Sequence, residues 1–287
     1  MGVEAAPPNL RVFLNNGSLP IVMNTPAAGT RKIGILSGKG GVGKSMLTVN
    51  LGAALTMQNK KNILIDADLG NPCLGLHLGL SYTQLGLQDV LQHGNKFGDA
   101  VVIQPQTGMR VLPATIGYTR GASLKNLGPV LNNAGKAYEF TIVDSPPGIT
   151  DNTFNIIEAC NELIVVTTPD IPAVSAATKM TSFCRKRNKR VLGVVVNRST
   201  GARYELDTAE IASMTDAPVL ARIPEDEAIP ESISLRTPAV YYAPKSRASK
   251  KLVALSSSLL CGPSSTTARP SIFSGFTSFF KRLFRLK

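Results

Sequence analysis

One segment of the chain has the residue types and spacing of a phosphate-binding loop. Residues 38–45 read GKGGVGKS and satisfy the pattern G-x-x-x-x-G-K-[ST]. Glycines let the backbone curl so that successive N–H groups point at phosphate oxygens, and the positive end of a following helix aims at the same place. Lys44 can reach the outer phosphates of a nucleotide, and the Ser45 hydroxyl can ligate Mg²⁺. The pattern predicts contacts from Gly38, Lys39, Gly40, Gly41, Val42, Gly43, Lys44, Ser45 and Met46.

Three aspartates follow predicted strands and could act on a bound nucleotide. Asp66 and Asp68 lie in IDADLG, and Asp144 lies in IVDSPPG. The carboxyl ends of strands in a doubly wound sheet point toward the ligand crevice. Phosphoryl transfer needs an acidic group near Mg²⁺ and a group that orients the attacking water. Each aspartate alone could also be a turn former or a helix cap, but three beside a phosphate loop favour a catalytic site.

The elements that must position these groups alternate along residues 31–260. Apolar runs separated by helical patterns predict an α/β fold, with a mostly parallel, twisted sheet covered by helices on both faces. The predicted strands are Lys32–Ser37, Asn62–Asp66, Met109–Pro113, Phe140–Asp144, Glu162–Thr168, Arg190–Asn197 and Pro218–Ile223. The predicted helices are Val42–Gln58, Pro172–Arg187, Glu205–Met214, Asp226–Leu235 and Ser246–Leu260.

These motifs together resemble the MinD/ParA family of P-loop ATPases. KGGVGKS is similar to the deviant Walker A loop of that family, and IDADLG and DSPPG are similar to its two switch segments. The resemblance runs in order over residues 32–260 and favours the MinD branch. It implies ATP and Mg²⁺ as ligands, and an ATP-dependent homodimer in which Lys39 reaches the phosphates held by the partner.

The resemblance also implies roles for individual residues. Lys39, Lys44 and Asp68 would be catalytic, with Asp68 positioning the water. Ser45, Asp66 and Asp144 would serve the metal, with Asp66 also supporting the switch segment and Asp144 acting through water. Four further residues match positions that frame the adenine ring: Asn197, Pro224, Glu225 and Asp226. Asn197 could instead be a simple turn residue.

The last seventeen residues, SIFSGFTSFFKRLFRLK, predict an amphipathic helix at 271–287. At about 100° per residue the large apolar side chains share one broad face, and most basic side chains lie away from it. Such a helix favours reversible binding to an anionic membrane, although packing onto the domain or onto a partner protein would also cover its apolar face. The predicted membrane contacts are Ile272, Phe273, Phe276, Phe279, Phe280, Lys281, Arg282, Leu283, Phe284 and Arg285.

Composition sets the remaining expectations. We expect a flexible leader at 1–30, an ATPase domain at 31–260, a linker at 261–270 and the amphipathic helix at 271–287. The start lacks a secretory signal pattern, and the four cysteines are scattered, so we expect a cytoplasmic protein that also binds the cytoplasmic face of the membrane. The net charge of +12 calls for an acidic partner, either membrane or nucleic acid.

Three functions remain open from the sequence. A MinD-like regulator would dimerise on ATP, bind membrane and hydrolyse ATP while positioning the division site or another structure, with an activating or cargo protein of unknown identity. A ParA-like ATPase would partition DNA, using the basic residues at 185–190. The aromatic tail does not favour DNA as the partner. An FlhG-like regulator of flagellar number would share the fold, the tail and the chemistry.

Overall fold

The computed structural model describes residues 30–80, 83–92, 96–115 and 123–261. Within them, eight strands form one sheet in the order β3-β4-β2-β5-β1-β6-β7-β8. All neighbouring strands are parallel except β3 and β4. All of the predicted leader except Thr30, most of the linker and the whole amphipathic helix lie outside the described residues.

The strands are β1 (Arg31–Leu36), β2 (Asn62–Asp66), β3 (Val102–Ile103), β4 (Arg110–Leu112), β5 (Phe140–Asp144), β6 (Glu162–Thr167), β7 (Arg190–Ser199) and β8 (Val219–Pro224). The helices are α1 (Lys44–Met57), α2 (Leu74–Leu78), α3 (Leu87–Gln92), α4 (Leu127–Ala134), α5 (Asp151–Ala159), α6 (Ile171–Lys186), α7 (Thr208–Thr215), α8 (Ala228–Ser234), α9 (Ala239–Tyr242) and α10 (Arg247–Cys261). A 3₁₀ turn spans Phe97–Ala100.

The predicted α/β class is confirmed, and each of the seven predicted strands is present. The sequence prediction missed β3, which has only two residues and pairs antiparallel at the sheet edge. It also missed five helices, α2 to α5 and α9, none of which exceeds nine residues. Segments this short carry too few apolar positions to show a helical period.

Two predicted helix starts were wrong because acidic residues there bond elsewhere. Helix α7 begins at Thr208 rather than at Glu205, whose carboxylate is held by the loop after β7. The start of α7 is fixed by a capping box between Asp207 and Glu210. Helix α8 begins at Ala228 rather than at Asp226, because the Asp226 carboxylate accepts hydrogen bonds from backbone N–H groups.

Both faces of the sheet are buried. Alternate residues of β2 enter different cores: Ile63 and Ile65 pack on the side of α4 to α7, and Leu64 packs on the side of α1 and α10. Burial on both faces explains why the strands read as continuous apolar runs. The two layers of helices hold the sheet ends in register, which is what positions the site.

The sheet has two chemically distinct edges because its strands are parallel. At the carboxyl edge, where β1, β2, β5, β6 and β7 end, the chain enters the loops that carry the predicted site. At the amino edge, where these strands begin, the preceding helices end. Helix α10 also ends there, because Arg31 at the start of β1 donates a hydrogen bond to the Leu259 carbonyl in its last turn.

Candidate nucleotide-binding site

The predicted phosphate loop joins β1 to α1 at the carboxyl edge and needs glycine at three points. A Cβ at Gly38 would lie 2.3 Å from the Ala176 carbonyl oxygen. Gly41 and Gly43 have φ of 78° and 96°, a region that other residues rarely adopt. A side chain at Gly43 would also place a Cβ 2.2 Å from the Asn197 amide nitrogen. The Ser37 hydroxyl donates to the Lys39 carbonyl at 2.8 Å and closes the start of the loop. The glycines therefore allow the curled backbone that a phosphate cradle requires.

The two lysines of the loop have different environments. Lys44, the first residue of α1, is only 7% exposed. Lys39 is exposed on the surface. The Lys39 charge acts on Asp170, at the N-terminus of α6. Burial raises the pKa of the Asp170 carboxyl. Hydrogen bonds from Thr168 and Ala173, together with the Lys39 charge, outweigh burial, so the pKa is lowered. One lysine thus points into the site, and the other borders its opening.

The carboxylate of Asp66 organises the segment after β2. It is fully buried, and its two oxygens accept backbone N–H groups of Asp68, Cys73 and Leu74 at 3.2, 3.0 and 2.9 Å. Burial and the nearby Asp144 charge raise the pKa of Asp66. These bonds tie the switch segment to the end of β2. A contact of Asp66 with metal stays a prediction.

Asp68 lies further out and is partly exposed. One of its oxygens accepts the Asn71 N–H at 3.1 Å, which orients the carboxylate. Partial burial raises the pKa of Asp68, while the Asn71 hydrogen bond and the Lys44 charge act in the opposite direction. The carboxylate is thus near Lys44 and reachable by water. Its predicted role in positioning the attacking water remains untested.

Asp144, at the end of β5, is a buried carboxylate with one oxygen that lacks a hydrogen-bond partner among the described residues. Its Oδ1 accepts from the Thr48 hydroxyl at 3.3 Å, but its buried Oδ2 has no hydrogen-bond partner within the described structure. Burial raises its pKa to about 6, although the Ser45 hydroxyl and the Lys44 charge lower it. A buried unpaired oxygen beside a hydroxyl suits a water-bound Mg²⁺ held between Ser45 and Asp144.

Direct ligation by the three aspartates alone does not fit this arrangement. No group of three or more His, Cys, Asp or Glu side chains could hold a metal ion among the described residues. Hydroxyl, phosphate and water oxygens complete the usual coordination of Mg²⁺ in nucleotide sites. The site therefore fits a metal that arrives with a nucleotide.

The predicted adenine-side residues are brought together after β7 and β8. The Asn197 amide donates to the Val42 carbonyl at 2.8 Å, so this residue also braces the phosphate loop. Pro224 and Glu225 lie beside Ser199, and Glu225 forms an exposed pair with Arg198 at 3.6 Å. Contacts of these residues with adenine stay predictions.

Asp226 connects the starts of two helices through its carboxylate. Its two oxygens accept the N–H groups of Ala228 and Ala248 at 3.1 and 3.0 Å, joining the starts of α8 and α10. Met46 is buried in the core on the α1 side of the sheet, and its Cε would lie 3.6 Å from a Cβ placed at Gly43 of the phosphate loop. Contact of Met46 with a nucleotide stays a prediction.

The sequence analysis missed a bracing network beside this region. Glu205 is buried and accepts hydrogen bonds from Ser199, Thr200, Gly201 and Arg222. Burial opposes ionisation, but these donors hold the pKa of Glu205 at about 2. No local sequence pattern predicts such a network, because one of its members, Arg222, lies in the next strand, β8.

Thr48 was also missed. It binds both the Lys44 carbonyl and Asp144, and its place one turn after Lys44 on α1 was the available signal. The described cysteines offer no comparable chemistry. Burial raises the pKa of Cys73 to about 11 and that of both Cys160 and Cys184 to about 12, so these thiols stay protonated at neutral pH.

Comparisons with known proteins agree with this geometry. The ParA family model, described as NUBPL iron-transfer P-loop NTPase, matches residues 29–260. An ATP-binding protein of Methanocaldococcus jannaschii is 31% identical over 254 residues, covering 88% of this chain and 96% of its own. Two solved structures are similar over most of the chain.

The first solved structure is the septum site-determining protein MinD of Pyrococcus horikoshii complexed with Mg-ADP. It has a TM-score of 0.77 and 30% identity, and covers 81% of this chain and 98% of its own. The second is a chain of the MinC:MinD cell division protein complex of Aquifex aeolicus. It has a TM-score of 0.74 and 26% identity, and covers 84% of this chain and 100% of its own. With its phosphate loop, the chain therefore belongs to the ParA family of P-loop NTPases, the family of the MinD ATPases.

Proposed function

We propose that this protein is an ATP-dependent molecular switch of the MinD type. ATP binding forms a homodimer, the dimer associates with an anionic membrane through residues 271–287, and ATP hydrolysis returns monomers to the cytoplasm. The contrast between the two loop lysines carries the proposal. Lys44 is buried in its own site, whereas Lys39 is exposed at the opening, where a second copy could receive it.

The residues of the site would divide the work of hydrolysis. The loop N–H groups and Lys44 bind the phosphates, and Mg²⁺ supplies charge neutralisation when it is bound. Ser45 and Asp144 hold this metal, the latter through water. Asp68 orients the attacking water, and Lys39 of the second copy stabilises charge on the phosphates.

The membrane part of the proposal rests on the sequence of the tail. None of the helices that the structure describes combines the length and hydrophobicity needed to span a bilayer. A surface-lying helix at 271–287, with five phenylalanines and four basic residues, would instead bind reversibly. A dimer that presents two such helices binds much more tightly than a monomer, which links attachment to ATP.

The biological role is proposed by similarity. The solved neighbours are a septum site-determining protein and a MinC:MinD cell division complex, so we propose that this switch positions the division site or another cell structure. We also propose a partner protein that stimulates hydrolysis or is carried as cargo. Iron transfer, which the family description names, has no three-ligand site among the described residues and is not proposed.

Two lysine variants test the nucleotide half of the proposal. Lys44→Ala should lose nucleotide binding, since it removes the charge inside the site. Lys39→Ala should keep nucleotide affinity within about threefold but lose ATP-dependent dimers and most ATPase activity, since its role is in the partner's site. Isothermal titration with Mg-ADP and light scattering with Mg-ATP measure the two effects. Dimers of Lys39→Ala in ATP would contradict the proposed contact.

Vesicle sedimentation tests the membrane half. We expect the full chain to pellet with anionic vesicles in ATP but not in ADP, and expect deletion of residues 271–287 to abolish pelleting. The deletion should leave dimer formation in ATP unchanged, which serves as the control. Equal pelleting in ATP and ADP would refute a nucleotide-controlled membrane switch.

A further inference from the structure

The amino edge of the sheet is the most basic part of the domain. Six basic side chains lie where strands β1, β2, β4 and β5 begin or in the turns just before them: Arg31, Lys32, Lys60, Lys61, Arg110 and Lys136. Strand register places these starts at one level, since Arg31 and Asn62 both pair with Phe140, and Arg110 pairs with Ile63.

The last turn of α6, the turn after it and the first residue of β7 add five more basic residues to this edge, at 185–187, 189 and 190. Their counterions belong to the same edge. Arg187 and Lys189 pair with Glu158, Arg190 pairs with Glu162, and Asp216 pairs with the arginine at 185. With Glu139, which pairs with Lys60, we count four acidic side chains at the amino edge.

The charge balance of the domain is concentrated here. Residues 30–261 contain 25 basic and 18 acidic side chains. Eleven of the basic and four of the acidic residues are at the amino edge. Away from this edge the described residues hold thirteen basic and fourteen acidic side chains, and the remaining basic residue, Arg120, lies outside the described residues. Among the described residues, the net positive charge of the domain thus lies on this one surface. A surface of one sign favours a partner of the opposite sign.

The course of the chain indicates which anionic partner this surface meets. Helix α10 ends at the amino edge, where Arg31 binds the Leu259 carbonyl, so its last residue, Cys261, lies at this edge. The nine residues 262–270 can span at most about 30 Å before the amphipathic tail begins. A tail lying in a bilayer would hold the amino edge close to the lipid headgroups.

The geometry points to the amino edge as a second membrane contact: we infer that it lies against the anionic lipid surface to which the tail attaches. This inference rests on the proposed membrane function and adds the domain's own contribution to it. The edge is about 17–20 Å from the phosphate loop, the length of a strand of five or six residues. Nucleotide therefore controls the contact through dimer formation and the number of tails, not through direct contact with the lipid.

A matched pair of triple variants tests the inference in the full chain. The edge variant changes Lys61, Lys136 and Lys186 to Gln, three exposed side chains of the amino edge. The control variant makes the same change at the exposed Lys125, Lys250 and Lys251, which lie at the starts of α4 and α10. Both lose three charges, and neither touches the nucleotide site. Thermal midpoints and ATPase rates confirm that both variants are intact.

Binding is measured in ATP with vesicles of phosphatidylcholine containing phosphatidylglycerol. We expect the edge variant to bind about 10- to 100-fold more weakly than the wild type at low salt, and the control variant to bind within about threefold of it. The difference should shrink in high salt and vanish on pure phosphatidylcholine vesicles.

The outcomes separate this inference from the proposed function. If the edge variant binds vesicles as well as the control variant while deletion of 271–287 abolishes binding, the second contact is wrong and the membrane switch stands. If the edge variant keeps vesicle binding but loses retention on duplex DNA, the edge is a nucleic-acid surface and the inference is overturned. If the deletion leaves ATP-dependent binding intact, the tail-based switch is wrong, and a loss in the edge variant would still support the edge contact.

Discussion

The carboxyl and amino edges of this sheet are formed by the same strands, but the buried carboxylates at the two edges differ in their partners. At the carboxyl edge Asp66 and Asp144 are buried, and Asp144 has an oxygen without a hydrogen-bond partner among the described residues. At the amino edge the buried carboxylate Glu162 is bound by two arginines, Arg31 at 2.6 Å and Arg190 at 2.9 Å. The contrast is therefore between a buried carboxylate with an unpaired oxygen at one edge and a buried carboxylate with two arginine partners at the other.

Helix direction explains part of this contrast. Helix α1 begins at the carboxyl edge, so its positive end favours anions such as phosphate there. Helices α1, α4, α5, α6 and α10 end at the amino edge, where basic side chains complement the negative helix ends. The difference teaches that strand and helix direction alone can give the two edges of a parallel α/β sheet different charge environments. One edge suits an anionic ligand, and the other suits basic side chains.

The largest expected effect comes from breaking the cradle of the carboxyl edge. Gly43→Ala combines an unfavourable φ of 96° with a Cβ only 2.2 Å from the Asn197 amide. We expect the mutation to weaken Mg-ADP binding at least ~100-fold and to cost about 2–4 kcal/mol of unfolding free energy. Calorimetric titration and urea denaturation measure both. Gly128→Ala, in helix α4 with open space around it, is the control, and equal effects would contradict the cradle geometry.

Removing the paired carboxylate of the amino edge should destabilise the fold without changing the affinity for nucleotide. Glu162→Gln leaves Arg31 and Arg190 without their shared counterion, and the Glu162 side chain is only 7% exposed. We expect a loss of about 3 kcal/mol in unfolding free energy. Mg-ADP affinity of the folded variant should match the wild type in calorimetric titration. A loss below about 0.5 kcal/mol would show that the pairing is not a main stabiliser of this edge.

Removing the unpaired carboxylate of the carboxyl edge should have the opposite effect on stability: the unfolding free energy should rise. Burial raises the pKa of Asp144 from 3.8 to about 6, so ionisation penalises the folded state. The stability contributed by this group is full below pH 3.8 and lost as pH rises through about 6. We therefore expect nucleotide-free Asp144→Asn to be more stable than the wild type by about 2–3 kcal/mol at pH 7, with a smaller gain near pH 4.5.

Urea denaturation across this pH range measures the gain, and the exposed Asp99→Asn serves as control. The same Asp144→Asn variant should lose the effect of Mg²⁺ on nucleotide affinity, since the metal-facing carboxylate is gone. A variant less stable than the wild type at pH 7 would refute the description of Asp144 as an unpaired buried charge.

The smallest effect should come from an exposed pair of the amino edge. Lys60 and Glu139 lie 3.3 Å apart with side chains 37% and 49% exposed. We expect Lys60→Ala to change the unfolding free energy by less than about 1 kcal/mol, because water screens the pair. A double-mutant cycle with Glu139→Ala measures the coupling. A coupling above about 2 kcal/mol would mean that the amino edge is more tightly organised than its exposure indicates.

The fold class and the phosphate loop could be predicted from sequence because both are local signals. The apolar runs gave all seven of the longer strands, and the glycine and lysine spacing gave the loop between β1 and α1. Strand β3 and the five short helices were not predictable, because their bounds depend on packing against the sheet edge and on neighbouring loops.

By itself, the sequence determined seven of the eight described strands and the longer helices between them, which loop can curl around phosphate, and which aspartates end strands. Only the tertiary structure decided which charges are paired. Thr48 meets Asp144 across 96 residues, Asn197 braces Val42 across 155, and Arg31 binds the end of α10 across 228. Partners this distant in sequence leave no local pattern. Their contacts exist only after the parallel sheet brings all strand ends to one edge and all strand starts to the other.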